Sequence, residues 1–503
     1  MKKTLFIKNA LILTVSSLIL RFAGIIFKVW LAQKIGSEGI GLYQLVFSVY
    51  VLASTFAISG TSTAVTRLVS EELALSNTKG AFKILRRAIE ISLFIAFLSV
   101  AVLFFGAEYI SSGVLGDIRT LPALKILPLS LPFIGVTSCV RGYFISRRKV
   151  TPNAISQIFE QAIRIMLIWI LVNKFSAQGL ANCCFAVILG DIIAEILACL
   201  YLYVNFLFDK KRLKHQSESN RKVPIFKRIL HISVPITLGR YLNTGLRTAE
   251  NILVPKNLSK YPHASNSALS QFGMIKGMAL PILFFPSAIL NAVSTLLIPE
   301  ISEAVALKRN AIVKNTCERI FKITAFVGVI FGAIFGTIGR EIGWIIYKDA
   351  NVGTLLVALS PIVPLMYLDS ICDGILKGLD QQTFTFCTAI SDSVIRIALI
   401  IFMLPKMGLK GFIIIMYFSN FLTCLLNVSR LIKISKANVK LFSSVFVPLI
   451  SALLCTFSLR FLLSHLSFLN TFWYTVVFCL FSCVCYILLL FALKVAKKED
   501  FLR

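Results

Sequence analysis

The chain has 503 residues, of which 57% are hydrophobic and only 15% are charged, and its mean hydropathy is +0.84. A water-soluble domain does not bury that much apolar surface, so the composition predicts a polytopic all-α membrane protein. The formal net charge of +29 at pH 7 does not indicate a nucleic-acid-binding protein, because the most polar stretch, residues 209–228, is too short for a domain. We expect the basic residues to lie in loops and cavities.

Apolar runs between polar residues predict fourteen membrane-spanning helices, since one span needs roughly 20 mostly apolar residues. The predicted spans are 5–33, 40–66, 88–110, 121–144, 152–173, 179–208, 228–254, 270–299, 318–340, 354–376, 384–404, 409–431, 441–463 and 471–494. With the N-terminus inside, and with residues near the span ends counted in the adjoining loops, 34 Lys and Arg residues fall in inner segments and nine in outer segments. By the positive-inside rule, this asymmetry predicts that both termini are cytoplasmic.

The two halves of the chain are predicted to be copies of each other. A shift of 232 residues aligns charged residues, glycines and prolines from the second span to the sixth, for example Glu71 with Glu303 and Pro132 with Pro364. A shift of 219 residues extends the alignment to the first span. Because six spans restore the orientation of the chain, the sequence predicts two six-helix bundles related by a pseudo-two-fold axis along the membrane normal. Such bundles enclose a central cavity in alternating-access transporters.

These alignments predict four regions. They are an N-terminal bundle over 1–208, a cytoplasmic linker over 209–227, a C-terminal bundle over 228–431, and two extra helices with a cytoplasmic tail over 432–503.

Four basic residues lie inside the predicted first and seventh spans, at positions that the 219-residue shift matches. Arg21 aligns with Arg240, and Lys28 aligns with Arg247. Each costs roughly 2.5 to 3.5 kcal/mol near the bilayer centre unless it meets water or a partner. Seven residues make about two helical turns, so the two basic residues of each copy share one face. Lys28 and Arg247 have the alternative of reaching the outer interface with their long side chains.

Acidic residues near other basic residues predict ion pairs. Glu160 with Arg164, and Asp392 with Arg396, are spaced i, i+4 on a helix, so we expect structural pairs. Arg247 and Glu250 are spaced for a similar pair at i, i+3. Further carboxylates that are available to neutralise charge or to bind a coupling cation are Asp191, Glu195, Asp369 and Asp373.

Cationic residues without an evident local partner predict an anionic substrate, and arginine in particular suits phosphate. They are Arg21, Lys28, Arg240 and Lys276. We expect no enzyme, because the chain has no G-x-x-x-x-G-K-[ST] loop and its outer loops are short. We also expect no metal site and no cofactor, because the four histidines are scattered and most cysteines lie in apolar runs.

Five segments carry a family resemblance. They are L-I-L-R-F-A-G-I-I-F-K (18–28), I-G-S-E-G-I-G-L-Y (35–43), V-R-G-Y-F (140–144), N-A-I-S-Q-I-F-E-Q-A-I-R-I (153–165) and L-I-P-E-I-S-E (297–303). Together they resemble the stage V sporulation protein B group, in the polysaccharide flippase branch of the multidrug/oligosaccharidyl-lipid/polysaccharide (MOP) exporter superfamily. The related lipid II flippases have the same 6+6+2 arrangement of spans.

The resemblance implies a flippase that moves an undecaprenyl-pyrophosphate-linked sugar from the inner to the outer leaflet for spore cortex peptidoglycan. It implies pyrophosphate contacts from Arg21, Lys28, Arg67 and Lys276, although Lys276 stands where the related flippases have arginine. Spans 13 and 14 would help to form a groove for the polyprenyl tail. The expected location is the bacterial plasma membrane or the forespore outer membrane, among membrane lipids and cell-wall synthesis enzymes.

Two other functions fit the same spans. A cation-coupled exporter of drugs or organic cations would use a cavity dominated by unpaired Asp or Glu, whereas this chain has basic residues at the matched positions. A non-transporting scaffold for cell-wall enzymes would dock its partners through loops. The sequence leaves open the identity of the sugar and whether a coupling ion or the membrane potential drives transport.

Overall fold

The computed structural model describes residues 2–58, 60–213, 225–262, 267–288, 290, 301–438, 442–464 and 471–496. Part of the predicted linker (214–224), part of the last resemblance motif (297–300) and the C-terminal residues 497–503 lie outside these ranges. Within them the chain is helical, and no β-strand is present. The prediction of an all-α membrane protein is therefore confirmed.

Contacts divide the chain into two compact units, residues 1–256 and 257–503. The predicted bundle boundaries at 208 and 228 stay a prediction. The helices that begin in the first unit are α1 (Lys2–Ile58), α2 (Thr61–Ala74), α3 (Thr78–Tyr109), α4 (Leu121–Ile126), α5 (Leu131–Ser146), α6 (Thr151–Phe175), α7 (Leu180–Leu213) and α8 (Ile225–Leu258).

The second unit holds the remaining α-helices whose two ends are described, besides a helical stretch over 301–306. They are α9 (Ala268–Phe272), α10 (Leu280–Phe284), α11 (Asn310–Tyr347), α12 (Ala350–Leu359), α13 (Val363–Gly378), α14 (Gln382–Ser435), α15 (Val447–Ser464) and α16 (Thr471–Ala492). A π-helical segment, Gly273–Ala279, joins α9 to α10.

Ten helical segments of the described chain are long and apolar enough to cross a membrane. Two of them contain a bend that separates two predicted spans, at Gly36 in α1 (φ 71°) and at Gly408 in α14 (φ 55°). The predicted seventh span corresponds to α8, and the eighth to the shorter apolar segment Ala268–Phe284. The ten segments and their two bends thus account for twelve of the fourteen predicted spans. The seventh is not among the ten segments, and the eighth continues over 291–299, outside the described residues, so these two stay predictions.

Gly60 breaks the predicted second span between α1 and α2. Its φ of 62° lies in the left-handed region, which an L side chain adopts at a cost. A Cβ on Gly60 would lie 2.6 Å from Thr237 Oγ1 and 2.8 Å from Ser233 O, both on α8. The absence of a side chain therefore permits both the turn and the close packing of α8.

The internal repeat is visible in the backbone of each unit. Non-helical turns with positive φ recur 232 residues apart, at Ser76 and Lys308, Gly116 and Lys348, and Arg148 and Asp380. A 3-10 segment likewise interrupts the helix before a proline in both units, at Leu127–Ser130 and at Ser360–Ile362. The repeat predicted from charges and prolines therefore extends to local backbone conformation.

Asp117 and Asp349 begin matched helices in the two units. Asp117 Oδ1 accepts the Arg119 N–H at 3.0 Å, and Asp349 Oδ1 accepts the Asn351 N–H at 2.8 Å. Asp117 also contacts the Arg119 guanidinium at 2.7 Å, and that guanidinium reaches Glu38 at 3.0 Å. Burial alone would raise the pKa of the Asp117 carboxyl, but the hydrogen bonds from Arg119 outweigh it and lower the pKa.

The two extra helices, α15 and α16, pack against α11. Tyr486 OH on α16 donates to Phe326 O at 3.2 Å, and Arg460 on α15 lies 3.5 Å from Glu341. Since α11 belongs to the second repeat, these contacts attach the non-repeated helices to the second unit.

We expect Gly60→Ala to lower the free energy of unfolding by about 2 kcal/mol, because the substitution strains the left-handed turn and displaces α8. Thermal unfolding of the purified protein in detergent measures this. Gly24→Ala is the control, since Gly24 has no neighbour within 4 Å of a built Cβ. Equal melting temperatures for the two variants would contradict the role given to Gly60.

We expect Asp117→Asn to lower the melting temperature at neutral pH. The folded carboxyl has a lowered pKa, so its stabilising effect is complete above the unfolded pKa of about 4 and is lost as pH falls through the folded pKa. The difference in melting temperature between wild type and variant should therefore shrink below about pH 4. A difference that stays constant from pH 7 to pH 3 would contradict this explanation.

Candidate functional site

Six basic residues are predicted to line the substrate cavity, and four of them lie on two helices of the first unit. Arg21 and Lys28 are on α1, Arg240 and Arg247 are on α8, and all four side chains are exposed. None of the four makes an ion pair with a described residue. The structure therefore leaves these cations accessible, and their role in binding stays a prediction.

Packing of α8 explains why its arginines are exposed. Tyr241 OH and Thr248 Oγ1 donate to backbone carbonyls of the second half of α1, at 3.3 and 3.2 Å. Arg240 and Arg247 each precede one of these residues, which rotates them about 100° from the packed face. The seven-residue spacing thus places both arginines together on an open side of α8.

Arg67 is engaged by a neighbouring carboxylate. It lies near the middle of α2, where its Nε is 3.2 Å from Glu71 Oε1, and its side chain is exposed. The other oxygen of Glu71 accepts a hydrogen bond from Arg228 of α8 at 2.5 Å. One carboxylate is therefore shared between two arginines, an arrangement that the sequence analysis missed. The i, i+4 spacing of Arg67 and Glu71 was its available signal.

Lys276 occupies the π-helical segment Gly273–Ala279 of the second unit. Its side chain is half-buried, and its Nζ lies 6.0 Å from the centre of the Phe412 ring. An ammonium at that distance is attracted by the face of an aromatic ring. Lys276 is therefore held in a defined position within its own unit.

A buried charge cluster joins α5, α6 and α7 in the first unit. Arg164 contacts Glu160 Oε1 and Asp191 Oδ1, both at 2.7 Å, and Arg141 contacts Glu160 Oε2 at 2.8 Å. Asp191 is 6% exposed, so its charge depends on Arg164 for neutralisation. The predicted Glu160–Arg164 pair is present, and its role in folding or in transport stays a prediction.

The second unit carries a corresponding polar cluster. Asp392 accepts the Ser419 hydroxyl at 2.5 Å and lies 3.5 Å from Arg396, while Asp369 accepts Asn427 Nδ2 at 2.8 Å. The 232-residue shift aligns polar residues in and beside the two clusters: Thr137 with Asp369, Arg141 with Asp373, Glu160 with Asp392, Arg164 with Arg396, Asp191 with Thr423, and Glu195 with Asn427. The repeat therefore keeps a polar residue at each of these six positions, with the charge kept at two of them and changed at four.

Arg141 is the member that the sequence analysis did not single out. It belongs to a short segment, Val140–Phe144, and the shift aligns it with Asp373, which pairs with Lys377 at 2.5 Å. A basic residue aligned with an acidic one was the available signal.

The predicted pair of Arg247 with Glu250 is not formed. Glu250 is buried, whereas Arg247 is exposed and makes no ion pair with a described residue.

The profile of the family described as "Polysaccharide biosynthesis protein" matches residues 6–305. The chain belongs to this family. It is 28% identical over 448 residues to "Stage V sporulation protein B" of Bacillus subtilis (strain 168), an alignment that covers 88% of this chain and 86% of that protein.

Solved structures show the same fold. A structure described as "Lipid II flippase MurJ, inward closed conformation" superposes with a TM-score of 0.71 at 16% identity and covers 94% of this chain and 96% of that chain. An inward-facing "multidrug resistance MATE family transporter of the MOP superfamily" superposes with a TM-score of 0.65 at 12% identity, covering 85% and 100%. The predicted MOP superfamily fold is therefore confirmed.

We expect Arg164→Ala to destabilise the protein by about 3 kcal/mol, because it leaves the buried carboxylate of Asp191 without an ion-pair partner and leaves Glu160 with Arg141 alone. The measurement is protein abundance in the membrane fraction. Adding Glu160→Ala should restore only part of the abundance, since Asp191 remains unpaired.

Arg86→Ala is the matched control for this cluster. Arg86 also pairs with a glutamate at i+4, but its side chain is 84% exposed, so its loss should have little effect. Normal abundance of Arg164→Ala with abolished transport would instead assign the cluster a direct role in transport.

Proposed function

We propose that this protein is a flippase that translocates an undecaprenyl-pyrophosphate-linked sugar from the inner to the outer leaflet by alternating access. The single observation that carries the proposal is the set of four exposed cations at matched positions on α1 and α8. Holding them in a membrane protein is costly unless they meet water or an anion. A pyrophosphate offers the charge and oxygen geometry that arginine binds best.

The relatives support the lipid-linked nature of the substrate. One is named for sporulation, and one solved structure of the same fold is named a lipid II flippase. We propose that the sugar is a peptidoglycan precursor for the spore cortex, and that both termini lie in the cytoplasm. Cell-wall synthesis enzymes are then the natural suppliers and consumers of the transported lipid.

Export of organic cations fits the charges less well. In the first unit, the carboxylates Glu160 and Asp191 are occupied by Arg164, and the exposed residues at the matched positions are basic. A cationic substrate would be repelled by that surface. We therefore retain the anionic lipid-linked substrate as the proposal.

We expect Arg21→Ala and Arg240→Ala to abolish transport while leaving membrane abundance normal. Both side chains are exposed and make no ion pair with a described residue, so removing them strands no buried charge. Lysine at either position should keep part of the activity because it keeps the charge but not the planar fork of donors. Complementation of a sporulation or cell-wall defect measures transport, and immunoblotting measures abundance.

Lys34→Ala is the matched control. Lys34 is also exposed on α1, but thirteen residues place it about 220° round the helix from Arg21. We expect it to complement fully. Full complementation by both arginine variants would overturn the proposal, and loss of the protein from the membrane would return these arginines to a structural role.

A further inference from the structure

The end of α7 combines an apolar groove with uncompensated positive charge. A cavity of about 350 Å³ is lined by Val204, Leu207, Phe208, Lys210 and Lys211. Its size lies within the range of small-ligand sites. The three apolar side chains are all exposed, at 46%, 40% and 61%, so no part of the described chain covers them.

Along α7, the apolar residues of the groove come before its two lysines. Val204, Leu207 and Lys211 are spaced i, i+3 and i+7, so they lie along one face of the helix. Val204 and Lys211 are about 10 Å apart along the axis, with the apolar residues toward the middle of the span and the lysines at its end. The groove thus changes from apolar to cationic in the direction from the bilayer interior to its surface.

The nearest carboxylate on α7 does not neutralise these lysines. Asp209 is 5% exposed and accepts hydrogen bonds from Tyr143 OH at 2.8 Å, Arg147 Nε at 3.1 Å and Lys149 Nζ at 2.5 Å. Its oxygens are therefore occupied on the packed side of the helix. Two of the three donors, Arg147 and Lys149, are positively charged, so they already balance the single negative charge of Asp209.

The two lysines keep their charges available at the rim of the groove. Lys210 Nζ lies 5.8 Å from the centre of the Phe82 ring on α3, a contact that holds the ammonium in place without cancelling its charge. Lys211 is exposed and makes no ion pair with a described residue. A ligand that matches this surface has an apolar chain and an anionic head.

We propose that this groove binds an anionic phospholipid of the surrounding membrane, with the headgroup phosphodiester on Lys210 and Lys211 and an acyl chain against Val204, Leu207 and Phe208. Basic residues at the end of a span attract anionic headgroups, and apolar area adds affinity for the chain. None of the four cations of α1 and α8 lines the groove. It does not rest on the proposed transport function.

Native mass spectrometry of the detergent-purified protein, titrated with phosphatidylglycerol, tests the proposal. We expect Lys210→Gln with Lys211→Gln to weaken binding of the first lipid about twenty-five-fold, because each lysine contributes a factor of about five. Phe208→Ala should weaken it less, since it shortens the apolar wall only. The control, Lys83→Gln with Lys433→Gln, removes two exposed lysines from other helices and should bind as wild type does.

Competition separates the possible occupants. Phosphatidylcholine with the same acyl chains, and inorganic phosphate at millimolar concentration, should both fail to displace phosphatidylglycerol. The proposal is overturned if the double lysine variant binds as wild type does, or if phosphatidylcholine binds equally well. It is also overturned if inorganic phosphate, or a polyprenyl diphosphate at equal concentration, displaces the phospholipid, since the groove would then serve a free anion or the transported substrate.

Discussion

A charged side chain within a membrane protein is tolerated when it meets either a partner or water, and this constraint organises the structure. Arg164 satisfies this constraint by contacting Glu160 and Asp191 in a buried cluster of the first unit. Arg21 and Arg240 satisfy it by remaining exposed. The same residue type is therefore locked into the fold in one place and left available to bind an anion in another.

The two copies of the internal repeat match in backbone conformation but differ in the charges that they carry at matched positions. Turns at Ser76 and Lys308 share a left-handed backbone conformation, and Asp117 and Asp349 begin matched helices. The polar clusters occupy matched positions as well, yet Glu195 of the first unit corresponds to Asn427 of the second. Divergence of the two copies has kept the geometry of the helices and changed the electrostatics of their interiors.

Much of the fold followed from the sequence because it depends on local composition. Apolar runs predicted the spans, and the i, i+4 spacing of Glu160 and Arg164 predicted their contact. The break at Gly60 did not follow, because it depends on the approach of Thr237 from a helix far along the chain. The contact of Arg228 with Glu71 was missed for the same reason, since 157 residues separate the partners.

The candidate site was predictable in part. The matched spacing of Arg21 with Lys28, and of Arg240 with Arg247, identified a cationic face from periodicity alone. Their exposure depends on how α8 packs through Tyr241 and on the rotation of the arginines away from that contact. The i, i+4 spacing of Arg67 and Glu71 could have distinguished Arg67 from these cations, but only the packing shows that a second arginine, Arg228, shares the same carboxylate.

We propose that Arg21 and Arg240 face water and bind the pyrophosphate of the substrate. Cysteine substitution at each position in a background without native cysteines, followed by labelling with a water-soluble thiol reagent, tests this. We expect labelling at both positions, and a lower labelling rate at both when a polyprenyl diphosphate is added. Labelling that is absent, or that proceeds at the same rate with and without the diphosphate, would contradict it.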